Sequence, residues 1–282
     1  MKGMLRKIVS EITLKDIILG EKIRCTGIDS ASNGKKLLGI YFTSMTATAV
    51  TLRGINDLKP KILIDGGKLN LTRYKNPTRL EALLLQSLKI EIAKKAAAKH
   101  KPEVILLNGS LKIPRKLHPN KNDSKTYKKK YKETIRKLKE LISKCLNEKI
   151  AVAGIIRDGM IKSYMRKTSH IQKHNYIWLN SYLEENLVKG KYVYIKPKTI
   201  ENSSSIKTTV SYLKTLIEFH PMAIETPIKQ KEKLNRKIFS VIWATTEAES
   251  GIPWCMELAH LIAKIPNMST EMIAKEIYTT HQ

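Results

Sequence analysis

The chain has 282 residues, and its 52 lysines and arginines against 25 acids leave a formal net charge of +27. That length is enough to bury a sizeable core, and an apolar fraction of 42% excludes a chain disordered throughout. So large a positive surplus attracts polyanions, either nucleic acid or an anionic membrane surface. A merely Lys-rich thermophilic surface, which usually balances Lys with Glu, is the weaker explanation.

The predicted elements run as follows. Residues 1–22 read as an amphipathic helical extension, with Leu5, Ile8, Ile12 and Leu14 among its apolar positions. The run IRCTGID (23–29) suits a buried strand that ends on Asp29, and 37–53 is a long β-branched and aromatic strand. Residues 61–71 predict a further strand with a turn at Asp65-Gly66, or a hairpin. A helix over 78–100 is expected, with Thr78 as its N-cap, and then a buried strand within 104–111.

Residues 115–134 read as a solvated, charged loop, and a helix follows through 148. Two strands joined at Asp158-Gly159 are expected over 151–165, a helix over 176–188 and a strand over 190–196. A polar loop covers 200–207, a strand-like stretch runs over 208–228, and helices close the chain near 229–237, 253–264 and 269–280. There is no internal repeat and no obvious linker, so 23–282 reads as a single domain: a mixed α/β sheet flanked by helices, with helical and basic-loop insertions.

Cys25, Cys145 and Cys255 show no paired spacing, which suggests a reducing compartment and argues against a zinc cluster. The N-terminus lacks a signal-peptide core, and no apolar run approaches the ~20 residues of a membrane span. The expectation is a soluble, cytoplasmic protein without a membrane partner.

In so basic a chain, the placement of acids is informative. Asp29 ends the first strand. Glu81 lies on the apolar stripe of its helix, with Leu84, Leu85, Leu88 and Ile92 at i+3, i+4, i+7 and i+11. A strand acid, antiparallel strands, a helix acid and a further strand is the order of an RNase H-like core. There carboxylates hold divalent cations ~4 Å apart for phosphodiester hydrolysis. Helix-dipole complementation beside Arg79 explains Glu81 about equally well. The third strand-end position is Asn108, an amide that carries no charge. Asp65 and Asp158 each precede Gly and read as turns, while Glu225 before Thr226-Pro227 is either a further ligand or an extended pre-proline residue. Tyr127, Tyr131 and Tyr164 lie among lysines and are either base-stacking or partly buried rings.

GIDSASNG, the Arg79-Leu80-Glu81 helix start, LLNGSL, AVAGIIR, ETP and GIPWCMELAHLIAKI, in that order, resemble the NurA nucleases of archaea and bacteria. The resemblance spans about residues 27 to 275, and it is the order and spacing of short motifs that carry it. It implies an RNase H-like, PIWI-related fold and a Mn²⁺- (or Mg²⁺-) dependent deoxyribonuclease using two ions. It further implies 5′–3′ exonuclease and single-strand endonuclease activity, in a homodimer that resects DNA ends for repair with a HerA-type hexameric ATPase. Asp29, Glu81 and His260 match its metal-site residues, and Asn108 stands where the family has the Asp of a DGSL motif. Arg157 matches a basic position that contacts phosphate, and Lys112, Arg115, Lys162 and Arg166 would guide a DNA strand to the site. The Asn108 departure leaves two readings: a nuclease, or a catalytically impaired nucleic-acid-binding or ATPase-adaptor subunit on the same fold.

Overall fold

The five residues VILLN show why this chain builds three layers. Val104 and Leu106 join one buried cluster, while Ile105 and Leu107 join another on the opposite side. A strand apolar on both faces must be covered on both, and helices do the covering. The structure, a computed structural model, describes residues 9–37, 39–157, 173–199 and 206–264.

Among these residues one sheet holds β1 (Val9–Ile12), β2 (Arg24–Leu37), β3 (Ile40–Arg53), β4 (Lys61–Asn70), β5 (Val104–Asn108), β6 (Ala151–Ile156), β7 (Tyr192–Thr199), β8 (Thr208–Leu213) and β9 (Met222–Pro227). The helices are α1 (Leu14–Gly20), α2 (Pro77–His100), α3 (Lys125–Asn147), α4 (Lys173–Val188), α5 (Glu232–Thr245) and α6 (Trp254–Ala263). The spatial order is β1-β7-β8-β9-β6-β5-β2-β3-β4, with β5 parallel to both β2 and β6 and the remaining pairs antiparallel. This is the mixed sheet of an RNase H-like α/β fold. Helices α2 and α3 cover one face, packing Ile90, Ile92, Ala93, Leu138 and Leu141 on Ile28, Ile105 and Leu107. Helices α5 and α6 cover the other, packing Phe239, Ile242, Cys255 and Met256 on Cys25, Leu106 and Ala153. No helix of the described residues is long and apolar enough to cross a membrane.

Several local expectations are corrected. Residues 9–12 form strand β1, which extends the sheet by pairing with β7, so among the described N-terminal residues a helix covers only Leu14–Gly20. Helix α1 starts at a capping box in which Thr13 and Asp16 bond reciprocally. The expected turn at Asp65-Gly66 is absent: β4 runs unbroken beside β3, with Asp65 opposite Ala47 and Gly66 opposite Thr46. A Cβ on Gly66 would sit 2.3 Å from the Met45 carbonyl oxygen, so this glycine serves close strand approach and not a turn. Helix α2 is capped by Asn76 in place of Thr78, because Pro77 needs no N–H partner at the first helical position.

The basic segment after residue 115 is pinned. Arg79 donates to the carbonyls of Lys116 and His118, pairs with Asp123 at 2.6 Å, and stacks 4.6 Å over the Tyr127 ring. Ser124 caps α3, and the buried Tyr127 hydroxyl donates to the Leu117 carbonyl. Helix α5 extends to Thr245, well past residue 237. Its β-branched and aromatic run has weak helix preference, but Ile238, Phe239, Val241 and Ile242 are all fully buried. The expected strand after Asp158, the polar loop over 200–205 and the helix at 269–280 lie outside the described residues.

Candidate functional site

Two side chains meet at the middle of β2. Asp29 Oδ1 accepts the Ser30 N–H at 2.7 Å, and Oδ2 lies 2.8 Å from His260 Nδ1. With its proton on Nδ1, the imidazole is held in the tautomer that leaves Nε2 as an acceptor. Asp29 is almost fully buried, while the His260 side chain keeps 36% of its surface exposed. The pair forms because Gly27 lets α6 lie directly on the strand: a Cβ there would fall 2.4 Å from the Cys255 carbonyl. The thiols of Cys25 and Cys255, buried beside that contact, lie 3.5 Å apart.

The parallel register pairs Ile28 with Leu107, so Asp29 and Asn108 are the next residues along neighbouring strands. Gly109 then turns the chain at φ +94°, a backbone conformation that only glycine takes up freely. The turn rests on Glu225 of β9. This carboxylate has no exposed surface, and its Oε2 accepts 2.5 Å from Ser110 Oγ and 2.8 Å from the Leu111 N–H. Lys112 Nζ stands 3.6 Å from its other oxygen. Burial pushes the Glu225 carboxyl above its ordinary value, against the opposing pull of Ser110, Lys112 and the Leu111 N–H. Gly154 leaves room for the turn, since a Cβ there would meet the Gly109 oxygen at 2.5 Å. Glu225 is thus an anchor of the loop, a role that neither sequence reading of it contained.

From the opposite layer, Lys89 of α2 reaches the same strand end. It is buried, and its Nζ donates to the Asn108 carbonyl at 2.7 Å. Burial lowers its affinity for the proton, and the charge of Asp29 acts in the other direction. The signal for Lys89 was present in the sequence. It stands eight residues after Glu81, four after Leu85 and three before Ile92, on the same stripe that singled out Glu81.

The structure separates Glu81 from these residues. Its Oε2 accepts from Tyr41 Oη at 2.5 Å and lies 2.6 Å from where a Cβ on Gly34 would be. Gly34 is five residues beyond Asp29 on β2, ~16 Å of extended strand. Of the expected nucleic-acid contacts, Arg115 is exposed, and Lys112 is committed beneath the loop with Glu225. Arg157 is half-buried just past β6, with Nε and Nη2 lacking hydrogen-bond partners among the described residues. Lys162 and Arg166 lie outside the described residues, as does Tyr164, whereas Tyr127 is buried and Tyr131 packs on the His118 ring.

These donors do not fit a pair of divalent ions. Two hard cations need several anionic oxygens, and this strand end offers one carboxylate, one amide and one imidazole. It also carries a lysine ammonium. Among the described residues, no group of three or more His, Cys, Asp or Glu side chains is placed to hold a metal.

No protein-family model matches the chain, and no curated protein matches it. Solved structures do. The NurA nuclease from Sulfolobus solfataricus aligns with a TM-score of 0.68 at 16% identity, covering 99% of this chain and 89% of its own. A NurA structure bound to dAMP and manganese gives 0.58 at 12% identity, over 94% of this chain and 88% of its own. Another NurA structure gives 0.57 at 12% identity, over 99% and 94%. At these identities the likeness is one of architecture, and this chain has a NurA-like fold.

Proposed function

We propose that this protein binds DNA, single-stranded or with processed ends, at the strand-end surface bearing Asp29, Asn108 and His260, without hydrolysing it. The observation that carries this reading is the composition of that strand end. On a nuclease-like fold it presents a single carboxylate, an amide and a buried lysine. The net charge of +27 supplies the long-range attraction, and exposed cations such as Arg115 would hold the phosphates. A NurA neighbour bound to dAMP and manganese supports a nucleotide ligand for this fold. We assign the protein to DNA end processing as a homodimeric subunit beside a HerA-type hexameric ATPase. The three free, buried cysteines support a reducing, cytoplasmic setting.

A second reading, Mn²⁺- or Mg²⁺-dependent hydrolysis by 5′–3′ exonuclease and single-strand endonuclease action, is favoured by the intact Asp29–His260 pair and by the manganese in that NurA neighbour. One experiment separates the two. Labelled single-stranded and overhang DNA is incubated with the protein in Mn²⁺ and in EDTA, and binding and product are read together. The expected result is salt-sensitive binding in both buffers with no product. Mn²⁺-dependent product that disappears in Asp29→Ala establishes the nuclease reading, and absence of salt-sensitive binding sinks both. Co-sedimentation with a HerA-type ATPase tests the assembly.

A further inference from the structure

Lys89 is a costly residue where it stands. An ammonium is rarely buried without a partner, and a lysine on the core stripe of α2 displaces an apolar side chain from a well-packed layer. The site it reaches is specific. Its Nζ donates to the carbonyl of Asn108, the last residue of β5, and a Cβ on Gly109 would lie 3.8 Å from that nitrogen. Asp29 stands on the neighbouring strand at the next register position and is close enough to act on Lys89 electrostatically. Counting formal charges, Asp29 contributes −1, Asn108 nothing and Lys89 +1, so these three residues sum to zero before any ion arrives.

We propose that Lys89 is the resident cation of this site: it stands in the electrostatic place of a divalent metal and excludes one. This deepens the DNA-binding reading above and rests on it for what the site is for, but its own claim concerns metal alone. A divalent ion brought to Asp29 would meet a fixed ammonium instead of a second carboxylate. The amide of Asn108 offers no charge to offset the repulsion. Asn108 and Lys89 are then two parts of one change. The amide removes the charge a metal needs, and the lysine supplies the positive charge the metal would have supplied. The ligand class this leaves is a phosphodiester held without a metal bridge.

The test measures Mn²⁺ binding by titration calorimetry and by the Mn²⁺ paramagnetic resonance signal, on the full chain without DNA. The native protein is expected to show no Mn²⁺ binding that depends on Asp29. Lys89→Met, close in length and uncharged, and the double variant Lys89→Glu with Asn108→Asp are measured beside it, with circular dichroism as the check on folding. The double variant is expected to bind Mn²⁺ about tenfold or more tighter than the native chain, the scale on which ligand-shell changes move metal affinity. Lys89→Met is expected to show a smaller gain that Asp29→Ala removes. A folded Lys89→Met that gains Asp29-dependent Mn²⁺ binding supports the proposal, and the double variant shows how far the site can be restored. Native protein that binds Mn²⁺ through Asp29, or a folded Lys89→Met that gains nothing, overturns it. Failure to bind DNA would sink the functional reading and leave these metal measurements standing.

Discussion

Asp29 and Glu225 are both buried acids in strands that converge on the turn after β5, yet they are spent differently. Glu225 is fully enclosed: its Oε2 accepts from the Ser110 hydroxyl and the Leu111 N–H, while Oε1 faces the Lys112 ammonium at 3.6 Å and has no hydrogen-bond partner among the described residues. Asp29 is nearly as buried, but its partner is a histidine whose ring remains more than a third exposed. Both oxygens of Asp29 are engaged as well, by the Ser30 N–H and by His260, so what distinguishes the two acids is the exposure of the partner, and neither the burial nor the hydrogen bonding of the acid itself. The first acid holds a loop in shape; the second holds a partly exposed imidazole.

The largest test of that contrast is Glu225→Ala. It leaves the Lys112 ammonium without its counter-charge and a hydroxyl and a backbone N–H without their acceptor, and should cost about 3–5 kcal/mol of stability in urea unfolding. A cost near zero would mean that the loop does not depend on its anchor. Next comes Gly154→Ala, whose new Cβ meets backbone at 2.5 Å and 2.8 Å from Gly109 and Leu111. Overpacking against rigid main chain predicts a loss of about 1–3 kcal/mol.

The pH dependence of Glu225 follows from the direction of its shift. Burial, the largest cause, raises its carboxyl above 4.5, so the folded state holds the proton more tightly than the unfolded chain does. This residue's contribution to stability is therefore greatest below pH 4.5 and declines as pH rises through the folded value. Unfolding free energies of native protein and Glu225→Gln, measured upward from pH 4.5, should converge or cross in that direction. A difference that grows the opposite way contradicts the assignment.

The smallest expected effect belongs to Asp29→Asn. It exchanges one side-chain hydrogen bond for a weaker one and should cost about 1 kcal/mol. Its diagnostic value lies in binding. Removing a negative charge from a metal-free DNA site should leave affinity in EDTA unchanged or raise it by about twofold. A site that works through Mn²⁺ would instead lose affinity in Mn²⁺, and anisotropy titrations in the two buffers separate these results.

Much of the fold was legible in the residues. The apolar runs of β2, β5 and β6 and the long stripe of α2 announce themselves by period and burial. The misread elements share one cause. Val9–Ile12 becomes a strand because β7 offers an edge, and Asp65-Gly66 stays extended because β3 pairs along the whole of β4. In both, a long-range partner overrides a local preference. The pinning of the basic segment by Arg79 is likewise invisible to a local reading, since its contacts lie 37 to 48 residues away.

The site divides in the same way. Asp29 and Asn108 are candidates from residue type and order and His260 from the resemblance to the NurA family, and the folded chain brings Asp29 to His260 and into register beside Asn108. Glu81 and Lys89 share one helical stripe, and no one-dimensional rule chooses between them. The axial rise of α2 decides, because eight residues carry the helix ~12 Å, from Gly34 to the end of β5. Composition alone determined that this protein carries a field of +27 suited to a polyanion. Only the tertiary structure decided that the centre of its strand-end site holds a lysine where the sequence suggested a carboxylate. Charge sums along a chain without reference to shape, whereas a site depends on which side chains the packing of helix on sheet brings within a few ångströms of one another.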